Sequence, residues 1–198
     1  QGLPATLMLG GLAFGFALGV GIPLGFVTAA RKGKWQDYTG SLLALVGICV
    51  PAFVIGPVLV MAFAIHWQWF PVALWGSFWH AVLPTAALGL FYSGRVARLM
   101  REGMLGVLNE PYIMTARAKG VSESVVLWKH ALRPALLPVV SYAGPMLADL
   151  LTGSFVIENL FQIPGIGVFM VNSSLNKDYT MIVGLVILYA ALLLVLNL

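Results

Sequence analysis

Apolar and polar residues along this chain separate into long uncharged blocks and short charged segments. Three blocks contain no Asp, Glu, Lys or Arg, and they cover residues 1–30, 38–65 and 179–198. A helix needs about 20 apolar residues to cross a bilayer, and each block reaches that length. We therefore predict membrane-spanning helices at about 3–30, 38–65 and 179–198.

Two further apolar stretches carry charged residues. The stretch 81–100 ends with Arg95 and Arg98, which must reach the membrane surface or face protein. The stretch 134–157 contains Asp149 near its middle. Together the stretches predict an all-α integral membrane protein, a polytopic helix bundle with about five transmembrane helices.

The composition agrees with this class. Hydrophobic residues make up 60% of the chain and charged residues 9%, whereas charged residues form about 25% of soluble domains. The first block lacks a basic leader and is longer than the roughly 7–15 apolar residues of a secretory signal, so we interpret it as a mature span. Residues 1–198 are predicted to form a single transmembrane domain.

Positive charge lies almost entirely on one side of the predicted bundle. Ten of the eleven basic residues fall in the loop at 31–34 or in and beside the loop that follows the span at 81–100, and Lys177 is the exception. Because Lys and Arg are retained on the cytoplasmic side, both loops are predicted to be cytoplasmic. Insertion in the lipid bilayer thus explains the net charge of +4, and no nucleic-acid partner is needed.

The residues give little basis for a metal or redox site. Cys49 is the single cysteine and lies within a predicted span, which leaves neither a disulfide nor a cysteine metal site. The histidines at 66, 80 and 130 lack the spacing of a zinc motif, and His130 falls on the opposite side of the membrane. We predict no metal site and no catalytic residue.

The most polar part of the chain, residues 109–133, is predicted to contain two short cytoplasmic helices. Asn109 is expected to cap a helix whose first turn contains Glu110 and Pro111 and which continues over 112–119, and Gly120 supplies a left-handed stop. The segment is thus predicted to fold as a helix, a glycine turn and a second helix.

The second helix of this segment has its own signals. Ser122 is expected to act as its N-cap, and Pro134 is expected to stop it. Val125, Trp128 and Leu132 recur at helical spacing, so they are expected to share one face.

The first span carries a glycine repeat. Gly11, Gly15 and Gly19 recur every four residues, and Gly21 and Gly25 follow them. Small residues at this spacing allow another helix backbone to approach closely, so we expect a tightly packed bundle.

Several short stretches resemble one transporter family. Ala116, Gly120 and a following Leu-Pro pair resemble the EAA loop of importer permeases of the ATP-binding cassette class. "TARAKG" and "HALRPALLPV", together with "PATLMLG", "VIENLFQIPGIG" and "NKDYT", are similar to the B-type subunit of the oligopeptide and dipeptide (peptide/nickel/opine) permease family. The resemblance covers nearly the whole chain, and it implies that the family's first span and large outer segment are missing from it.

The resemblance implies a transporter subunit of the bacterial inner membrane. Such a chain forms half of a translocation pore for peptides with a second, homologous permease, and it works with two ATP-binding cassette ATPases and an extracytoplasmic substrate-binding protein. The chain lacks a phosphate-binding G-x-x-x-x-G-K-[ST] motif, so ATP and Mg are expected to bind to the partner ATPases and no cofactor to this chain. The residues expected to couple to the ATPases are Thr115, Ala116, Arg117, Lys119, Gly120, Val121, Ser122 and Trp128.

The segment "VIENLFQIPGIG" is predicted to turn back at the outer membrane face and to form a gate. The gate residues are Glu158, Phe161, Pro164, Gly165 and Gly167, with Glu158 fixing the loop through backbone amides or a basic group of a partner and Phe161 meeting the facing permease. An ordinary interfacial hairpin is the alternative.

Asp149 has two interpretations. A carboxylate at the bilayer centre is costly, so it should face the pore or a partner helix. It is either a pore residue or a structural acid satisfied by its neighbours.

Two other function classes stay open: a stand-alone secondary transporter or channel, and an intramembrane enzyme. The substrate class is also open, because the same family branch includes nickel, opine and glutathione systems.

Overall fold

The computed structural model describes residues 2–197, and the regular structure in this range is helical. The α-helices are α1 (Leu3–Ala30), α2 (Trp35–Cys49), α3 (Ala52–Leu59), α4 (Phe78–Leu108), α5 (Pro111–Ala118), α6 (Glu123–Val125), α7 (Leu132–Ala135), α8 (Leu137–Gly153), α9 (Phe155–Leu160), α10 (Ile166–Leu175) and α11 (Tyr179–Asn197). Two π-helical segments, Val60–His66 and Val126–Ala131, continue α3 and α6. The all-α prediction is confirmed.

Three helical stretches within the described residues are long and apolar enough to cross a membrane. They are Leu3–Ala30, Leu137–Leu160 and Tyr179–Leu196. α4 covers the stretch predicted at 81–100 as one helix of 31 residues. At about 1.5 Å per residue, a helix of this length exceeds the roughly 30 Å thickness of a bilayer core.

The apolar block at 38–65 forms two helices rather than one straight span. α2 ends at Cys49, α3 begins at Ala52, and the two helix axes are bent by 105°. Pro51 stands at the break with extended backbone (φ −62°, ψ 146°). Proline has no N–H to donate to the preceding turn and keeps the residue before it out of the helical region, so α2 cannot continue through this position.

The described residues cluster into two compact units. Unit 1 comprises Gln1–Phe16, Val50–Phe91 and Gly144–Leu198. Its most deeply buried side chains include Phe161, Ile157 and Ile163, which lie in and after α9. Unit 1 is therefore built around the segment "VIENLFQIPGIG".

Unit 2 comprises Ala17–Cys49 and Tyr92–Ala143. Its core includes Met100 and Met104 of α4 and Val126 of the π-helical segment, none of which is exposed. This unit holds the predicted cytoplasmic segment 109–133.

Close backbone contact joins α1 to α4 inside unit 2. A Cβ added at Gly25 would collide with the Ala97 carbonyl oxygen and lie 2.6 Å from the Met100 Cβ. A Cβ added at Gly21 would lie 2.7 Å from the Val96 Cβ. Glycine is required here because only a missing side chain lets the two backbones approach this closely.

The repeat at Gly11, Gly15 and Gly19 does not take part in this contact. All three positions are exposed, and a Cβ added at any of them would meet nothing within 4 Å. The expectation that this repeat packs the bundle internally is therefore wrong for the single chain. Gly21 follows Gly19 by only two residues, which is about 200° around a helix with 3.6 residues per turn. Gly21 and Gly25 therefore lie on a different side of α1 from the repeat.

The contact between α1 and α4 generates a test with two matched glycines. We expect Gly25→Ala to lower the free energy of unfolding by about 1–3 kcal/mol, because the new Cβ collides with a backbone carbonyl that cannot rotate away. Gly19→Ala should be neutral or stabilising by up to about 1 kcal/mol, because its Cβ enters open space. SDS-induced unfolding of the purified chain, followed by circular dichroism, measures both. Equal unfolding free energies for Gly25→Ala and Gly19→Ala would contradict the close packing of α1 on α4.

Candidate functional site

The first cytoplasmic helix, α5, begins one residue later than the sequence predicts. Its N-cap is Glu110, which has extended backbone (φ −71°, ψ 145°), and Pro111 opens the helix. Asn109 does not cap it: its side-chain amide donates to the Leu105 carbonyl at 2.9 Å and thereby closes the end of α4. Proline suits the first helical position because the N–H it lacks would have no partner there.

The turn after α5 confirms the predicted role of Gly120. Gly120 has φ +79°, in the left-handed region that residues with a Cβ avoid. Its N–H donates to the Arg117 carbonyl at 3.0 Å, and the Val121 N–H donates to the Ala116 carbonyl at 3.2 Å. The chain therefore reverses within a few residues.

An ion pair spans this turn. Arg117 donates from Nε to Glu123 Oε2 at 3.0 Å and from a terminal nitrogen to Oε1 at 2.7 Å. The hydrogen bonds from Arg117 lower the pKa of Glu123, and the same contact raises the pKa of Arg117. Both side chains are largely solvent-exposed, so the pair orients the turn more than it stabilises the fold.

The second helix of the predicted cytoplasmic segment begins where the sequence predicts. Ser122 is the N-cap by backbone geometry, although its hydroxyl makes no capping hydrogen bond. The side chains of Val126 and Ala131 are fully buried, whereas Val125 and Trp128 are exposed. Val126–Ala131 is π-helical, a wider helix than the α-helical spacing assumes, and the shared face of Val125, Trp128 and Leu132 stays a prediction.

Pro134 does not stop this helix. It lies inside α7, which ends at Ala135, and the break before α8 falls at Leu136. Pro134 lies near the end of a continuous helical run over 123–135, so its missing N–H removes at most one backbone hydrogen bond before the run ends at Ala135.

Trp128 connects the cytoplasmic segment to α1. Its ring centroid lies 4.5 Å from that of Phe26, with the planes tilted by 37°. Phe26 is 8% exposed and Trp128 is 61% exposed, so one face of the indole packs on α1 while the rest stays open.

The predicted coupling residues lie together around the Gly120 turn. Most are exposed in the single chain, and two are half-buried. The exposed ones are Thr115, Arg117, Lys119, Gly120, Ser122 and Trp128, and the half-buried ones are Ala116 and Val121. Beneath them, Ile113 and Val126 are fully buried and fix the two helices to unit 2.

A second ion pair in unit 2 was not predicted. Asp37 accepts from Arg101 Nε at 2.8 Å and from a terminal nitrogen of Arg101 at 3.0 Å. The same carboxylate accepts from the Gly33 N–H at 3.0 Å and from the Ser41 hydroxyl at 3.3 Å. Asp37 is 5% exposed. The sequence does mark Asp37 as unusual, because it is the single acidic residue before Glu102.

The predicted outer segment in unit 1 is a helical hairpin made of α9, a turn and α10. Glu158 in α9 is fully buried. Its Oε1 accepts from the Ser154 hydroxyl at 2.6 Å, and its Oε2 accepts from the Gly167 N–H at 2.8 Å. The Thr6 hydroxyl oxygen in α1 accepts from the Ile166 N–H at 2.9 Å. The predicted contact between Glu158 and a backbone amide is therefore present.

The two glycines of the hairpin leave space for these acceptors. A Cβ at Gly165 would collide with the Glu158 carboxylate and lie 2.7 Å from Thr6 Oγ1. A Cβ at Gly167 would collide with Phe155 and lie 2.8 Å from Glu158 Oε2. Pro164 stands in the turn before α10, where no helical N–H is needed.

Phe161 does not meet the expectation of a side chain that faces another subunit. Its ring is 1% exposed and belongs to the core of unit 1. Its carbonyl oxygen accepts from the Leu74 N–H at 2.9 Å, which ties the loop after the π-helical segment Val60–His66 to the hairpin. The corrected role of Phe161 is internal packing, and the gate itself stays a prediction.

Asp149 is exposed on the surface of the single chain. The structure gives its carboxylate no hydrogen-bond or ion-pair partner among residues 2–197. A structural acid satisfied by its neighbours thus has no support among these residues, and the pore interpretation stays a prediction.

The long apolar helices and the polar, exposed helix–turn–helix around Gly120 define a class: an integral membrane protein with a polar segment outside its apolar helices. Residues 21–198 match the family described as "Binding-protein-dependent transport system inner membrane component". The chain belongs to this family.

Individual relatives narrow the comparison. The chain is 42% identical over 196 residues to the oligopeptide transport system permease protein OppB of Haemophilus influenzae, covering 98% of the chain and 64% of the relative. It is 42% identical over 195 residues to the dipeptide transport system permease protein DppB of Bacillus subtilis, covering 98% and 63%. The chain thus spans somewhat less than two thirds of the length of these relatives.

Solved structures agree on the fold. A chain from the inward-facing MetNI methionine ABC transporter superposes with a TM-score of 0.82 at 17% identity, covering 99% of this chain and 89% of that one. A chain from an amino acid ABC transporter solved with histidines gives a TM-score of 0.76 at 16% identity, covering 99% and 87%.

The ion pair across the Gly120 turn predicts a small, pH-dependent effect. Arg117→Gln should speed amide exchange over residues 119–126 by less than about fivefold at neutral pH, since exposed pairs contribute on the order of 0.2–1 kcal/mol. Because the folded-state pKa of Glu123 is lowered, the stabilisation is present above the ordinary carboxyl pKa and is lost as the pH falls through the lowered value. Hydrogen exchange, corrected for intrinsic rates, should therefore show no difference from the native chain in acid.

Lys119→Gln is the control, because it removes one positive charge beside the turn without removing the ion pair. An equal effect of Lys119→Gln at neutral pH would show that net charge, and not the Arg117 contact, orders the turn.

Proposed function

We propose that this chain is a membrane-spanning permease subunit of an ATP-driven importer. It would form half of a translocation pore with a second, homologous permease. ATP hydrolysis would be performed by two partner ATPases, which would also bind ATP and Mg, and this chain would not be an enzyme. An extracytoplasmic binding protein would deliver the substrate.

The cytoplasmic segment around Gly120 is the observation that carries this proposal. Two short helices meet at a left-handed glycine, and an ion pair crosses the turn between them. Two fully buried anchors, Ile113 and Val126, hold the pair of helices on unit 2. A surface that is exposed, polar and firmly anchored can receive a push from a soluble subunit and move as one piece.

Peptides are the proposed substrate class. The curated relatives are named as oligopeptide and dipeptide permeases, which supports this choice over nickel, opines and glutathione. The direct test is uptake into proteoliposomes by the full-length permease, reconstituted with its partner permease, ATPases and binding protein. Labelled di- and oligopeptides should accumulate only with ATP. Accumulation without ATP, or of no peptide at all, would overturn the proposal.

Gly120 supplies the test of coupling through the cytoplasmic segment. Gly120→Val should strain the turn by about 1–2 kcal/mol, because a branched side chain is disfavoured in the left-handed region. We expect the displaced helices to lower ATP-dependent uptake and also the stimulation of ATPase activity by substrate. Gly120→Asn is the matched variant that should keep both activities, since Asn tolerates this conformation.

Both variants are first compared for assembly with the ATPases, so that loss of the complex is separated from loss of coupling. Native uptake and substrate-stimulated ATPase activity in an assembled Gly120→Val complex would show that the turn does not couple the two reactions.

A further inference from the structure

The hairpin over residues 155–175 is attached to three other parts of unit 1. One attachment reaches α1 through Thr6, and a second reaches the loop at Leu74 through the Phe161 carbonyl. The third is a close approach to α3, where a Cβ added at Gly56 would lie 2.7 Å from Leu160 Cδ2 and 3.4 Å from the Phe161 ring. The hairpin is thus held by its backbone as well as by its side chains.

One acceptor from α1 and one from α9 satisfy the first N–H groups of α10. These groups have no partner inside their own helix. Thr6 accepts from Ile166, and Glu158 accepts from Gly167. All four residues are buried, with Thr6 at 2% exposure and Glu158 at 0%. A carboxylate also suits this position electrostatically, because the start of a helix carries partial positive charge.

We propose that Thr6 and Glu158 are positioning residues: Thr6 fastens the hairpin to α1, and Glu158 holds α9 to the start of α10, so that residues 155–175 stay fixed on α1 throughout the transport cycle and do not flex as a gate. Any opening of the outer end would then come from movement of unit 1 as a body. This inference rests on the proposed function only in assuming a cycle of states driven by ATP.

The reason lies in what flexing would expose. Turning the hairpin away from α1 would separate the Ile166 N–H from the Thr6 hydroxyl that accepts its hydrogen bond. Both groups are buried, and a buried polar group that loses its partner is costly. The close contacts at Gly165 and Gly167 also fit only one arrangement, since the Glu158 carboxylate fills the space that a side chain would take.

Distance measurements on the assembled transporter test the fixed arrangement. Cysteines replacing Met8 in α1 and Leu175 at the end of α10 carry nitroxide labels, and both positions are exposed in the single chain. The single native cysteine, Cys49, is changed to Ser. Double electron–electron resonance in lipid nanodiscs then compares the nucleotide-free state with a state that traps ATP. We expect one narrow distance that is the same in both states, and a distance that changes on trapping would overturn the proposal.

Hydrogen exchange tests the fastening residues themselves. Thr6→Val keeps the size of the side chain but removes the acceptor, so exchange at the start of α10 should quicken by about three- to tenfold. Thr6→Ser restores the hydroxyl and should restore native exchange and uptake. Glu158→Gln keeps an acceptor oxygen and should behave like Thr6→Ser. Native exchange in Thr6→Val would show that Thr6 does not hold the hairpin.

The outcomes separate this inference from the proposed function. A constant distance with slow exchange but no ATP-driven uptake would leave the fastening intact and reject the importer assignment. Normal ATP-driven uptake with a distance that changes when ATP is trapped would support the importer assignment and reject the fastening. If Thr6→Val fails to fold, the distance measurement still decides the question, because the labelled protein keeps Thr6 and Glu158. The Thr6→Ser variant provides the second comparison.

Discussion

Backbone N–H groups at a helix start need acceptors, and inside a bilayer only the protein supplies them. The hairpin over 155–175 shows how this constraint is met. α10 begins beside a buried carboxylate and a buried hydroxyl, so its first amides are satisfied by Glu158 and Thr6 rather than by water. The sequence "VIENLFQIPGIG" follows from this requirement, because the acceptor fits only where two residues lack side chains.

A similar principle operates in unit 2, where a second buried carboxylate gathers several donors. Asp37 gathers hydrogen bonds from Arg101, Gly33 and Ser41, so one carboxylate ties the start of α2 to α4 and to the turn before it. The surface pair of Arg117 and Glu123 has similar geometry but lies in water. The two pairs differ in burial, so removing one partner costs more in the buried pair, where it leaves a charge without a partner.

The sequence predicted the features that depend on local chemistry. Gly120 adopts the left-handed conformation, and the apolar blocks are helical, because backbone preference and hydrophobicity act over a few residues. It failed where partners are distant along the chain. The side of α1 that packs on α4 could not be read from the repeat at Gly11, and the burial of Phe161 depends on contacts with segments far away in sequence. The bend at Pro51 has a local cause, because proline lacks the N–H that would continue α2.

Glu158, Gly165 and Gly167 occupy one shared volume, and this has a consequence for how the sequence can vary. A methyl group at either glycine needs space that the carboxylate already fills. A side chain at 165 is therefore tolerated only together with a compensating change such as a shorter acid at 158, whereas at 167 the Phe155 backbone also blocks it. Among descendants of this gene position 167 should stay glycine, and positions 158 and 165 should change together or not at all.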